Sequence, residues 1–145
     1  AYARAPHFAQ TFPLLERIVR DEEQNLFGFI HQSIVETSAH LGIGTKIRLS
    51  SEIDVDHEMK AQDKVIALSR ALGADCYVNA VGGIDLYDRD AFRAQGIELQ
   101  FLRAKQFEYA QFGRPFVPWL SIVDVMMFNA PEQVRAAVRD GYELV

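Results

Sequence analysis

The chain has 145 residues, the size of one ordinary domain, with 49% apolar and 24% charged residues, a balance that excludes a disordered or fibrous class. Its formal net charge of −5, from 20 acidic and 15 basic side chains with no long run of either sign, argues against a nucleic-acid surface built on a basic stripe. One cysteine excludes an internal disulfide or a cysteine-based zinc site and suits a reducing cytoplasm, and no apolar run reaches the roughly 18 residues of a membrane span.

The first residues lack a charged region followed by an apolar one, so no secretory leader is read there, and Ala1 in place of an initiator Met points to a truncated or processed chain. Between Phe8 and Leu41 the apolar residues Phe8, Phe12, Leu15, Ile18 and Val19, then Leu26, Phe29, Ile30 and Ile34, recur at three- and four-residue spacing. This predicts two amphipathic helices, or one broken near Asp21. Gly42 suits the stop of a helix, and Lys46-Ile47-Arg48-Leu49-Ser50 alternates as a strand does. An acidic turn from Glu52 to Glu58 precedes a helix lined by Val65, Leu68 and Leu72 and closed by Gly73. A second strand is expected over Cys76 to Val81 and is broken by Gly82-Gly83. Asp88 is an N-cap for a helix over Arg89 to Gln95, Gly96 ends it, and Ile97 to Phe101 alternates as a third strand. A loop from Arg103 to Val117 leads to a helix beginning near Pro118, and a last helix begins with Pro131 and closes near Gly141.

Strand, helix, strand, helix, strand implies parallel pairing with right-handed crossovers, so the fold class is α/β, a small parallel sheet with flanking helices in a single domain, 1–145. Parallel strands are normally covered on both faces within larger sheets. The expectation is therefore a sheet completed by a segment before Ala1 or by a partner chain, which leaves room for a homo-oligomer.

Ligands of open α/β sheets bind beyond the carboxyl ends of the strands. Those ends carry Ser50-Ser51, then Asn79 with Gly82-Gly83, then Arg103, Lys105 and Gln106, groups that could hold an anionic or hydroxyl-rich small molecule. The plainer reading makes the serines helix caps and the glycines a turn. Gly42-Ile43-Gly44-Thr45-Lys46 is no phosphate loop, because it follows a helix and opens a strand. Glu52, Asp54, Asp56, His57 and Glu58 match no calcium loop and read as a solvated acidic segment, and no histidines sit at helical zinc spacing, so no metal site is assigned. Cys76 reads as a small buried hydrophobe, and no Gly-x-Ser-x-Gly elbow exists.

Phe116 to Asn129 is the segment that demands a chemical explanation, because it places one carboxylate, Asp124, in an apolar run. A buried carboxylate costs several kcal/mol unless something pairs with it or donates to it. On a helix Ser121 and Asp124 would share a face, where Ser121 could donate to Asp124. Upstream, Glu108, Tyr109, Gln111 and Arg114 lie on an aromatic-rich loop able to fold over as a lid. The structural alternative is that Asp124 pins that loop, with Arg114 as partner.

The chain resembles the WbqC-like proteins. The matching residues are Tyr2-x-x-Ala5-Pro6-x-Phe8, Ser50-Ser51, Leu72-Gly73-Ala74 followed by Tyr77, Gly82 to Tyr87, Gly96-Ile97, and Phe116-x-Pro118-x-Leu120-Ser121-Ile122-x-Asp124. They occur in the family's order across nearly the whole chain. Family members usually begin with a further segment bearing an aromatic Pro-Tyr-Phe-Pro-type motif, so the resemblance makes this chain the C-terminal part of a longer protein; position 7, usually aromatic, is His7. The resemblance implies a cytoplasmic role in bacterial surface-polysaccharide (O-antigen) biosynthesis. The expected activity is transfer, acyl or aminoacyl, to an activated amino sugar. Asp124 and Ser121 would be catalytic, and Ser50, Ser51, Asn79, Gly82, Gly83, Tyr87, Tyr109 and Gln111 would contact a nucleotide sugar or acyl donor. No cofactor is indicated. The alternative is a non-catalytic module that binds a nucleotide sugar or serves in assembly.

Overall fold

The computed structural model describes residues 1–113 and 115–145. Helices and a small three-stranded sheet make an α/β protein whose chain divides into two compact units, Ala1–Lys46 with Gln106–Gly141, and Ile47–Lys105 with Tyr142–Val145. Among the described residues no helix is long and apolar enough to cross a membrane.

The first unit holds four helices: α1 (Phe8–Val19), α2 (Leu26–His40), α5 (Ile122–Phe128) and α6 (Pro131–Asp140). The break expected near Asp21 separates α1 from α2. Asn25 starts α2 by accepting from the Phe27 and Gly28 N–H groups at 2.9 and 3.2 Å. These bonds satisfy two of the donors that every helix start leaves free. Pro131 opens α6, where the Gln133 side chain reaches back to the Ala130 N–H at 3.0 Å. Leu14, Ile18, Leu41, Met126 and Val134 form the core of this unit, with Phe29, Ile43 and Val125 packed against it.

Of the periodic apolar residues of α2, Phe29 packs against that core, whereas Leu26, Ile30 and Ile34 do not. No residue of α2 is fully buried. Its polar row meets α1 and the turn that follows it, Gln32 donating to Asp21 at 2.7 Å and Glu36 accepting from Arg17 at 2.6 Å. The apolar row Leu26, Ile30 and Ile34, with Phe27 beside it, is exposed.

The second unit contains α3 (Ala61–Ala71), α4 (Arg89–Arg93) and the strands β1 (Cys76–Ala80), β2 (Glu98–Ala104) and β3 (Tyr142–Leu144). The sheet order is β1-β2-β3, with β1 and β2 parallel and β2 and β3 antiparallel. Gly73 and Gly96, at φ +66° and +73°, end α3 and α4 in the left-handed conformation, which costs glycine nothing, and turn the chain into β1 and β2. The Asp88 carboxylate caps α4 through the Asp90 N–H at 2.8 Å. Phe92, Ile97, Leu99 and Phe101 are the core, joined by Val65, Ile66, Tyr77 and Tyr87.

Three expectations are corrected. The alternating segment Lys46 to Ser50 is not a strand, and Ser50–Glu52 is a single 3₁₀ turn. Ile47 is 41% exposed, so alternation there has neither a ladder partner nor a face to bury. The third strand is instead β3, whose three residues are too short to show a period, and it makes the sheet mixed rather than wholly parallel. The helix expected from Pro118 begins at Ile122, since Trp119 takes φ +59°, outside the helical region.

Leu14, 3% exposed, and Ile34, 51% exposed, carry similar side chains in one unit. Leu14→Ala should cost about 2–5 kcal/mol in urea unfolding, whereas Ile34→Ala should stay within about 0.5 kcal/mol of the parent chain. Equal losses would show that α2 packs on its apolar face.

Candidate functional site

α5 is short because both ends are fixed by sequence. At its start the Ser121 hydroxyl accepts from the Val123 N–H at 3.2 Å, and at its end Asn129 leaves the helical conformation ahead of Pro131. Asp124 lies one turn in, on the face that also buries Met127, and is 5% exposed.

Three donors reach its carboxylate. The Tyr2 hydroxyl donates to Oδ1 at 2.8 Å, the Tyr109 hydroxyl donates to Oδ2 at 2.6 Å, and Gln111 Nε2 approaches Oδ2 at 3.4 Å. The Tyr109 bond has the shortness of a hydroxyl donating to a charged acceptor. Gln111 also holds both polar backbone atoms of Val117, donating to its carbonyl at 3.0 Å and accepting from its N–H at 2.9 Å. One side chain thus closes the loop whose aromatic residues surround the carboxylate.

Rings complete the site. Phe128, one turn beyond Asp124, meets Tyr2 edge-on at 6.2 Å, Phe112 edge-on at 4.8 Å and Tyr109 at 6.3 Å, while Phe116 stands edge-on to Tyr109 at 5.4 Å. The Arg4 guanidinium lies over the Phe112 ring, 5.9 Å from its centre. Beside these groups is a cavity of about 320 Å³ lined by Tyr109, Ala110, Gln111, Gly113, Pro115 and Phe116.

The environment acts on both phenols in one direction. Burial, then the bond to Asp124, pushes Tyr109 up to about 12, and the bond to Asp124, then burial, raises Tyr2 above the usual phenol value. Each phenol therefore keeps its proton through neutral pH and spends it on the carboxylate.

Of the residues expected in a site, Asp124, Tyr109 and Gln111 come together here. Ser121 is close in sequence, yet its hydroxyl accepts a cap bond and does not donate to Asp124. Arg114, the expected salt-bridge partner, lies outside the described residues. Tyr2 stood in the sequence only as part of a recognisable motif; its 122-residue separation from Asp124 hid the contact. Phe128 is the ring on which the aromatic group turns, meeting Tyr2, Tyr109 and Phe112.

The remaining expected contacts are in the second unit. Asn79, Gly83 and Tyr87 meet there: a β-carbon added to Gly83 would lie 2.6 Å from Asn79 Nδ2 and 3.5 Å from the Tyr87 ring. Asn79 also accepts from the Ala80 N–H at 2.8 Å. Ser50, Ser51 and Gly82 are exposed, and the serines form no side-chain cap in their 3₁₀ turn. The second unit has a cavity of its own, about 370 Å³, with Arg89 in its wall, but that guanidinium is committed to the Leu99 and Val145 carbonyls at 2.7 and 3.0 Å.

The Tyr109 proton makes the network visible in solution. Its folded pKa of about 12 lies above the ordinary 10.0, so its contribution to stability is complete below pH 10 and lost as pH rises toward 12. Tyr109 and Tyr77 should both ionise near pH 12 by phenolate absorbance; Tyr109→Phe should remove one of these two steps, and Asp124→Asn should move that same step down. A Tyr109 step near pH 10 in the parent chain would contradict the contact.

One comparison with known proteins bears out the resemblance. A family model described as "WbqC-like protein family" matches residues 1–136. No curated protein and no solved structure matches. The match takes in both Tyr2 and Asp124 and all but the last nine of the 145 residues, and the chain belongs to the WbqC-like protein family.

Proposed function

We propose that the chain is a cytoplasmic transferase acting on an activated sugar, an amino sugar above all, in bacterial surface-polysaccharide biosynthesis. The observation that carries this reading is a buried carboxylate, Asp124, fixed by two phenols beside a ring-lined cavity of about 320 Å³. Sugars present alternating apolar faces and hydroxyls, and a pocket of aromatic faces with a few placed polar atoms is the usual complement to such a ligand. In this reading Tyr109 and Gln111 contact the substrate and Asp124 sets their geometry and charge, while Ser121 holds α5 at the angle that directs Asp124 inward.

A second reading, a binding module without catalysis, is favoured by a specific observation. Both Asp124 oxygens already accept from a phenol, and the Ser121 hydroxyl is engaged with the Val123 N–H. Neither group stands free as a base or nucleophile, so catalysis requires substrate to displace one of these bonds.

Thermal shift with nucleotide sugars and acyl-coenzyme A, followed by a turnover assay, separates the two. A nucleotide sugar at about 100 times its Kd adds about 2.7 kcal/mol, a rise of several degrees in Tm. Transfer predicts that rise together with acyl release, and Asp124→Asn should lower turnover at least about a hundredfold while keeping the shift. A shift without acyl release supports the binding module, and no shift with any nucleotide sugar refutes both.

A further inference from the structure

Trp119 combines a strained backbone with a side chain that the fold leaves in solvent. Its φ of +59° lies in the left-handed region, which suits glycine and is costly for a residue with a β-carbon, most of all a bulky one. Both ends of the short link that carries it are fixed. Gln111 holds the Val117 N–H and carbonyl at 2.9 and 3.0 Å, and the Ser121 carbonyl accepts from the Asp124 and Val125 N–H groups at 2.9 and 3.3 Å. Pro118 adds a locked φ between them. The indole is nevertheless 70% exposed, so packing within the chain offsets little of the strain. Strain that the surrounding chain enforces, and that packing does not explain, is a mark of ligand sites. Gln111 also joins the link to the cavity of about 320 Å³, since it lines that cavity and grips Val117, two residues before Trp119. Such a volume is at the low end for a small-molecule site, so a ligand with two ring systems extends past it onto its surroundings.

We infer that Trp119 is a stacking platform for a nucleotide sugar, its exposed indole taking the flat face of one ring while the remainder of the ligand occupies the cavity lined by Tyr109, Gln111 and Phe116. The inference rests on the reading of this cavity as a sugar site and adds a residue which that reading does not use. Tryptophan offers the broadest ring face of any side chain, and either a nucleobase or the C–H face of a pyranose is flat and apolar enough to meet it. A ring stacked there would bury the indole and supply the contact that the fold itself does not.

Trp119 is the one tryptophan of the chain, so indole fluorescence of the full chain reports this residue alone. UDP-N-acetylglucosamine and GDP-mannose should shift its emission to the blue and protect it from acrylamide quenching. The same response to UDP assigns the base to the indole, and to free N-acetylglucosamine the sugar ring. Emission that none of these probes moves overturns the inference, and emission that moves only with protein concentration overturns it in favour of contact between copies of the chain. Trp119→Gly separates binding from folding, because glycine takes φ +59° without strain. That variant should melt no lower than the parent chain while binding the nucleotide sugar about tenfold more weakly by calorimetry. A lower Tm with an unchanged Kd assigns the indole to the fold and overturns the inference. A nucleotide sugar that raises Tm but leaves the emission unmoved confines the failure to Trp119. If Tm is unmoved as well, the sugar reading falls with it.

Discussion

Asp124 is where three stretches of chain meet, and satisfying its charge fixes all three. A buried carboxylate without donors would cost several kcal/mol. Here the donors come from the N-terminal segment through Tyr2 and from two positions of one loop, Tyr109 and Gln111. None of these segments is regular secondary structure at its point of contact, so no helix or strand ladder would otherwise place them. The same bonds set the rings, since Tyr2 and Tyr109 both bear on Phe128 from the positions their hydroxyls impose.

The approach of Tyr2 has a further cause in α5. A helix end leaves carbonyls without intrahelical partners. In α5 the entry to α1 takes two of them: the His7 N–H donates to the Met127 carbonyl and the buried Thr11 hydroxyl donates to the Met126 carbonyl, each at 3.0 Å. Asn129 takes the Val125 carbonyl with its side chain at 2.8 Å and with its N–H at 3.0 Å. α1 is thereby docked on the end of the helix that carries Asp124, and the turn closed by Ala5 N–H to Tyr2 carbonyl at 2.8 Å carries the phenol back toward the carboxylate. Packing on the Leu14 and Met126 side chains and polar closure at the backbone are two aspects of one contact.

How much of this the sequence disclosed depends on the range of the interaction. Helix positions and stops were legible because caps and glycines act within a few residues: Asp88, Gly73 and Gly96 behave as their chemistry requires. Asp124 was legible because a lone charge in an apolar run needs a partner, and Tyr109 and Gln111, 15 and 13 residues away, lay on the nearest polar loop. Tyr2 was beyond such reasoning, as nothing local marks a partner 122 residues off. Ser121 shows the opposite failure. Three-residue spacing would set it beside Asp124 on one helix face, but a residue at the N-cap has left the helix and its oxygen serves the backbone. The apolar row of α2 predicted a helix correctly, but only Phe29 of it meets the core while Leu26, Ile30 and Ile34 are exposed, since periodicity specifies a face and not what covers it.

Similar aromatic groups in the two units offer different surfaces to a ligand, and a single group that can only accept explains why. In the second unit Tyr77 and Tyr87 stand edge-on at 5.9 Å with Phe92 stacked on Tyr77, and Tyr77 is pushed up to about 12 by burial first and by the neighbouring Tyr87 second. Neither of these phenols donates to a carboxylate among the described residues, so that pair retains donors as well as acceptors. In the first unit both phenols donate to a carboxylate, and neither has a second proton to give a ligand. The chemical character of the first site thus follows less from its tyrosines than from the negative charge they enclose. A neutral acceptor in place of Asp124 would keep the rings and the cavity while freeing the direction of the hydrogen bonds, and with it whatever selectivity the site possesses.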